Sequence, residues 1–184
     1  MVEDNYPLNE SWKIWYDVQS KRSTQTNWLD NLVDVCTISD VPSFLFAIEE
    51  LEEPDMWPLN SNIHFFREGI LPMWEDPRNS KGGKWVLELS KADTYDLTSI
   101  WRDTMALCVS EMVENDLITG CVYSPRKNVD RIALWTKDTQ DGVLKCGEIW
   151  KGLMDLPEGV TIGFKIHENA IKGFKDKIED LYII

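Results

Sequence analysis

Nine of the 184 residues are tryptophan, and two of them lie among turn-forming or polar neighbours: Trp28 in Thr26-Asn27-Trp28-Leu29 and Trp74 in Pro72-Met73-Trp74-Glu75-Asp76. Such surroundings predict exposed rings. An indole face attracts positive charge through its quadrupole, and two faces around a flat ligand exclude water from both sides. Set beside a carboxylate such as Glu75, they suit a planar, cationic, hydrogen-bonding ligand. A modified nucleobase fits that description best.

The net charge of −13 excludes proteins that grip a long nucleic-acid backbone, because such binding rests on a basic stripe and counterion release. DNA is therefore not an expected partner, and RNA is expected only as a short piece. The local cations are few: Lys81 and Lys84 in Lys81-Gly82-Gly83-Lys84, then Arg126-Lys127, then Arg131. Catalysis would need a metal–carboxylate cluster or an activated nucleophile. The chain offers two histidines, His64 and His167, far apart in sequence, and no helical Glu-x-x-Glu set beside a glycine-rich phosphate loop. No enzyme activity, metal or cofactor is expected. Cys36, Cys108, Cys121 and Cys146 lack Cys-x-x-Cys spacing and sit in apolar stretches, which predicts buried free thiols.

Positioning these residues requires a core, and 43% hydrophobic residues without a linker predict one domain over 1–184, with 1–10 as a flexible or partner-contacting arm. No apolar run approaches the ~20 residues of a membrane helix, and the acidic start Met1-Val2-Glu3-Asp4-Asn5 does not resemble a secretory signal. The expected location is intracellular, in the cytoplasm, with the nucleus as a second compartment.

Period-two alternation marks strands. Trp12, Ile14 and Tyr16 alternate with Lys13 and Trp15, and Trp85, Leu87 and Leu89 alternate with Lys84, Val86 and Glu88. Further strands are expected over 32–38, 62–66, 118–123, 131–137 and 160–166. Three amphipathic helices follow from caps and spacing: Asp40 to about Glu53, ending before Pro54; Asp96 through Met112; and Val143 through Met154, ending before Pro157. The implied architecture is α+β: one curved, largely antiparallel sheet with the helices on one face and the other face open. In Arg131-Ile132-Ala133-Leu134-Trp135, Ile132 and Leu134 must meet the helices. Arg131 and Trp135 then share the open face.

Several segments, in this order and spacing, resemble the eukaryotic initiation factor 4E family of mRNA cap-binding proteins. They are Trp12-Lys13-Ile14-Trp15-Tyr16, Asn27-Trp28-Leu29-Asp30-Asn31-Leu32, Gly69-Ile70-Leu71-Pro72-Met73-Trp74-Glu75-Asp76, Lys81-Gly82-Gly83-Lys84-Trp85 and Arg131-Ile132-Ala133-Leu134-Trp135-Thr136. The resemblance implies a cupped sheet of about eight strands with three helices on its convex side. It implies that Trp28 and Trp74 stack on 7-methylguanine, that Glu75 accepts from the guanine N1–H and 2-amino group, and that Trp135 touches the methyl group. Arg126 and Arg131 would hold the triphosphate, with Lys84 as a weaker contact. Capped mRNA and a scaffold initiation factor, or a competitor of that scaffold, are the implied partners.

Departures from the family pattern concern the phosphate side and the convex face. Asn128 stands where relatives often carry another basic residue. Pro7 and Val41 match the partner surface, but Leu45 replaces its tryptophan, and Arg102, Ala106 and Ser110 replace an apolar, glycine-containing face on the second helix. No serine follows Ser124, so the C-terminal phosphorylated serine of some relatives is missing. The residues leave open an initiator with an altered partner motif, a repressor that occupies caps without recruiting the scaffold, and, less favoured, a cap-processing enzyme.

Overall fold

The computed structural model describes residues 6–18, 28–114, 116–140, 142–168 and 180–184. Eight strands form one sheet: β1 (Pro7–Val18), β2 (Val33–Asp40), β3 (Ser61–Arg67), β4 (Gly83–Ser90), β5 (Ile118–Pro125), β6 (Val129–Thr136), β7 (Ile162–Ile166) and β8 (Tyr182–Ile183). Their order is β2-β1-β3-β5-β6-β4-β7-β8, and neighbouring strands pair antiparallel. The predicted α+β architecture, a curved open sheet with three helices, is the one observed. Pro7 to Glu10 belong to β1, so within the expected N-terminal arm these residues are part of the sheet; residues 1–5 lie outside the described residues.

α1 and α2 begin where their caps predict, whereas α3 starts after the left-handed Gly142 without a side-chain cap. In α1 (Val41–Glu50), Asp40 accepts from the Ser43 amide at 2.7 Å while the Ser43 hydroxyl accepts from the Asp40 amide at 3.2 Å, a reciprocal capping box. The helix ends at Glu50 rather than near Glu53. Pro54 has no N–H to give the Glu50 carbonyl and forces Glu53 into an extended conformation; it opens a 3-10 turn, Pro54–Met56. α2 (Leu97–Val109) starts at Asp96, which accepts from the Ser99 amide at 3.0 Å. It stops short of Met112 because the Ser110 hydroxyl turns back to the Leu107 carbonyl at 2.9 Å, leaving Met112 outside and exposed. α3 (Val143–Leu153) buries Val143, Cys146, Gly147 and Trp150; of the other members of the expected stripe, Met154 is buried just past the helix end, and Leu153, in the last turn, is exposed.

All three helices share one core with the convex side of the sheet. Phe44 and Ala47 of α1, Ile100, Trp101 and Met105 of α2, and Cys146 and Trp150 of α3 pack with Trp12, Ile14, Phe65, Trp85, Tyr123, Ile132 and Leu134. The Trp150 indole N–H donates to the Thr104 hydroxyl at 2.9 Å, so the two longest helices are locked by a satisfied buried bond. Cys108, Cys121 and Cys146 are buried free thiols, as expected, whereas Cys36 on the edge strand β2 is only half-buried. No helix among the described residues is long and apolar enough to cross a membrane.

Candidate functional site

The pleat sends alternate side chains of six strands to the concave face, and register arranges them in rows. One row runs Asp17, Asn62, Ser124, Arg131 and Glu88; another runs Lys13, Phe66, Gly120, Trp135, Lys84 and Lys165. The middle of the face is an apolar floor of Phe66, Val122, Ala133 and Trp135, joined by Ile70, with Trp74 packed against it. Phe66 lies over Gly120, where a Cβ would come within 2.4 Å of the ring. Ile132 and Leu134 face the helices and Arg131 and Trp135 face away, as the alternation requires.

Trp74 packs on this floor, and Trp28 meets β3 at His64. Trp28 precedes a 3-10 turn, Leu29–Asn31, and meets the His64 ring edge-on, with centroids 5.9 Å apart. Both indoles are half-buried rather than fully exposed, because Trp74 packs on the concave floor and Trp28 on the His64 ring. The loop carrying Trp74 and Glu75 is held from within. Asp76 accepts from the amides of Leu71 and Arg78, both at 2.9 Å, while fully buried Asn79 donates to the carbonyls of Leu71 at 3.0 Å and Met73 at 2.9 Å. Glu75 projects at the surface of this brace. Gly82 then passes so close to the Thr136 carbonyl that a Cβ would lie 1.7 Å from it, which explains the glycine preceding β4 and Lys84.

The phosphate-side candidates are grouped at the cationic part of the face, yet each is already engaged. Arg126 donates to the carbonyls of Ser61 and Pro125, both at 3.0 Å, and to Oδ1 of Asn62 at 2.7 Å. Burial and then the neighbouring Arg131 charge hold its pKa below the ordinary value. Arg131 pairs with Glu88 through both Nε and Nη2. Lys84 lies over the Trp135 ring, 5.4 Å from its centroid. Burial, Arg131 and Lys165 together bring its pKa down to about 8. Lys127 and Asn128 are exposed at the β5–β6 turn.

Four participants escape a reading of the sequence alone. Lys165, beside Lys84 in register, is placed on the concave face by the alternation of Ile162, Phe164 and Ile166, a signal the sequence does contain. His167 packs against Trp135, with centroids 4.2 Å apart. Burial, then Lys84, push its pKa down to about 3, so the ring is neutral. Nε1 of Trp135 and Nε2 of His167 are buried without a hydrogen-bond partner among the described residues. Asp17 and Asn62, the remaining two, form a buried polar network whose members come from distant segments and leave no local motif.

On the convex face, Val41, Leu45 and Ala106 are exposed, as is Pro7 at the start of β1. Phe46, which the sequence did not single out, is the most exposed of the large apolar α1 side chains at 65%. Arg102 is not free: it pairs with Glu53 at 3.2 Å, and Thr98 donates to the same carboxylate at 2.6 Å.

Residues 7–180 match the family model described as eukaryotic initiation factor 4E. The chain belongs to that family. Among initiation factor 4E relatives, that of Candida albicans is 33% identical over 168 residues, covering 89% of this chain and 80% of its own. The Saccharomyces cerevisiae factor is also 33% identical, covering 90% and 78%. Solved initiation factor 4E structures superpose closely. Ascaris suum eIF4E-3 with the m7G cap gives a TM-score of 0.84 at 28% identity, covering 98% of both chains. Caenorhabditis elegans eIF4E-3, solved with the 4E-binding protein Mextli and a cap analogue, gives 0.85 at 26% identity over 98% of this chain and 99% of that one.

Proposed function

We propose that this chain binds the 7-methylguanosine 5′ cap of mRNA and acts in translation initiation by bringing capped mRNA to the ribosome from the cytoplasm. The observation that carries the proposal is the concave face itself: Trp74 packs on an apolar floor, Trp28 packs on His64 of the strand beneath it, and a cationic corner adjoins them. The relatives support it, being named translation initiation factors, as do the solved neighbours carrying m7G and m2,2,7G caps.

In this proposal Trp28 and Trp74 stack on the two sides of the base. Methylation at N7 makes the ring cationic, so stacking gains a charge component of about 2 kcal/mol once water is excluded. Glu75 accepts from the N1–H and the 2-amino group; adenine, with an acceptor at N1, is rejected. Trp135 receives the methyl group. Arg126, Arg131 and Lys84 take the phosphates through charge-assisted bonds. The chain acts as a binding protein, without a catalytic step.

On the convex face the proposed partner is a scaffold initiation factor or a binding-protein competitor, seated on Pro7, Val41, Leu45, Arg102 and Ala106. Leu45 and the Arg102–Glu53 pair favour an altered anchor.

Quenching of tryptophan fluorescence by 7-methyl-GTP and by GTP tests the proposal. The expected result is at least about ten-fold tighter binding of the methylated nucleotide, equivalent to ~1.4 kcal/mol. Equal affinities would exclude the sandwich.

A further inference from the structure

Asp17, near the end of β1, is 1% exposed on the concave side of the sheet. A carboxylate so placed is costly unless its lone pairs are filled. Here they are filled three ways. Nε2 of His64 lies 2.5 Å from Oδ1, Nδ2 of Asn62 lies 3.2 Å from Oδ1 and 3.0 Å from Oδ2, and the Trp28 side chain hydrogen-bonds the same carboxylate. The indole N–H is the donor Trp28 can offer. Burial alone would push the carboxyl up. Bonds from His64, Asn62 and Trp28 outweigh it and hold the pKa below the ordinary carboxylate value, so the group is charged at neutral pH.

Asn62 carries the connection onward. Its amide nitrogen points at Asp17, and its oxygen accepts from Nη2 of Arg126 at 2.7 Å and from the Ser124 hydroxyl at 2.8 Å. That orientation is forced, since flipping the amide would set an NH2 group against the arginine and an oxygen against the carboxylate. An unbroken chain of hydrogen bonds thus runs Trp28, Asp17, Asn62, Arg126. It joins Trp28, at the head of the 3-10 turn before β2, to the turn between β5 and β6.

We infer that Asp17 is a positioning residue for cap binding, an assignment that rests on the function proposed above: its carboxylate fixes the Trp28 indole directly and the Arg126 guanidinium through Asn62. One buried charge therefore sets both the base-stacking and the phosphate-binding halves of the site. Asparagine at position 17 cannot replace it. Its NH2 group would confront the N–H donors of Asn62 or Trp28, or oblige His64 to move its proton to Nδ1, and a single oxygen cannot serve all three as the carboxylate does.

Wild type, Asp17→Asn and Asn62→Ala are titrated with 7-methylguanosine, which has no phosphate, and with 7-methyl-GTP, with unfolding followed in parallel. Asp17→Asn is expected to weaken the nucleoside by about ten-fold and the triphosphate by more. Asn62→Ala is expected to weaken the triphosphate while leaving the nucleoside within about two-fold. Dependence on ligand length is a readout that loss of stability alone would not produce. Wild-type nucleoside affinity in Asp17→Asn, or equal losses for both ligands, overturns the inference. If Asp17→Asn does not fold, Asn62→Ala decides: equal losses there also overturn it. Failure of the wild type to prefer 7-methyl-GTP over GTP would instead remove the cap-binding proposal, so the two failures are distinguishable.

Discussion

Lys84 and Lys165 stand directly opposite each other across the β4–β7 ladder, both on the concave face, with Arg131 close enough to add to the same positive field. Like charges in this relation oppose one another, and burial adds to the cost of keeping Lys84 protonated. Arg131 has Glu88 and Lys165 has Asp180 as counter-ions, so it is Lys84 that a bound polyanion would relieve most.

This arrangement predicts a pH dependence with a definite sign. The pKa of Lys84 is lowered to about 8 from an ordinary value of 10.5. A polyanion favours the protonated amine and raises that pKa, so the complex holds more protons than the free protein between the two values. Affinity for 7-methyl-GTP should therefore fall as pH rises from about 8 toward 10.5, with proton uptake on binding at pH 8.5. Calorimetry in buffers of different ionisation enthalpy measures the uptake, and Lys84→Met should lack this component. In the free protein the same group favours unfolding most below pH 8, because the folded state releases its proton first.

Base and phosphate contacts should separate by ligand. Glu75→Ala should weaken 7-methyl-GTP by roughly 1.5 to 3 kcal/mol with little dependence on salt, since the guanine donors lose a charged acceptor. Arg126→Ala and Arg131→Ala should cost the triphosphate more than the monophosphate and should flatten the salt dependence. Titrations at two ionic strengths decide; equal losses for both ligands would show that neither arginine serves the phosphate chain.

The brace beneath Trp74 gives a prediction at a residue that need not touch ligand. Asn79→Ala removes donors to the Leu71 and Met73 carbonyls inside the loop. Leaving these groups unpaired should cost about 1 to 3 kcal/mol of stability, measured by urea denaturation, and should lower cap affinity through the loosened indole. Unchanged stability would mean that Asp76 alone holds the loop.

The convex face predicts weakened binding of a generic scaffold helix. Leu45 offers less buried contact than the tryptophan of relatives, and Arg102 must be desolvated or displaced from Glu53. A peptide with tyrosine and leucine anchors should bind about 2 to 4 kcal/mol more weakly than to a typical relative. Arg102→Leu should recover part of the loss. Calorimetry checks both; nanomolar affinity for the unmodified chain would show Leu45 to be an adequate anchor.

What sequence could and could not reveal follows from the range of the interactions. The strands β4 and β6 and the stripe of α3 were legible because alternation and helical spacing are local, and the family motifs located Trp28, Trp74 and Trp135. Helix ends were less legible: the effect of Pro54 on the Glu50 carbonyl reaches one turn back, and Ser110 ends α2 through its own hydroxyl. Asp17 could not be recognised at all. Its partners His64 and Asn62 lie 47 and 45 positions away, and a lone aspartate in a strand gives no sign of them.

Because side chains of β6 alternate between ligand face and core, the strand distinguishes two kinds of genetic change. Exchanging one residue for another between Arg131 and Trp135 alters one face and leaves its opposite intact. Inserting or deleting a single residue there would turn Ile132 and Leu134 toward the ligand and bury the arginine against the helices. From Asp130 to Trp135 both flanking partners, β4 and β5, hold the register, the irregularity of β5 lying beyond, between Ile118 and Gly120, so no edge is open to absorb the slip. By contrast β1 carries irregular register against the edge strand β2, between Ile14 and Trp15. Over evolutionary time the stretch of β6 from Asp130 to Trp135 can therefore change its spelling but not its length, while the β2 margin can change both.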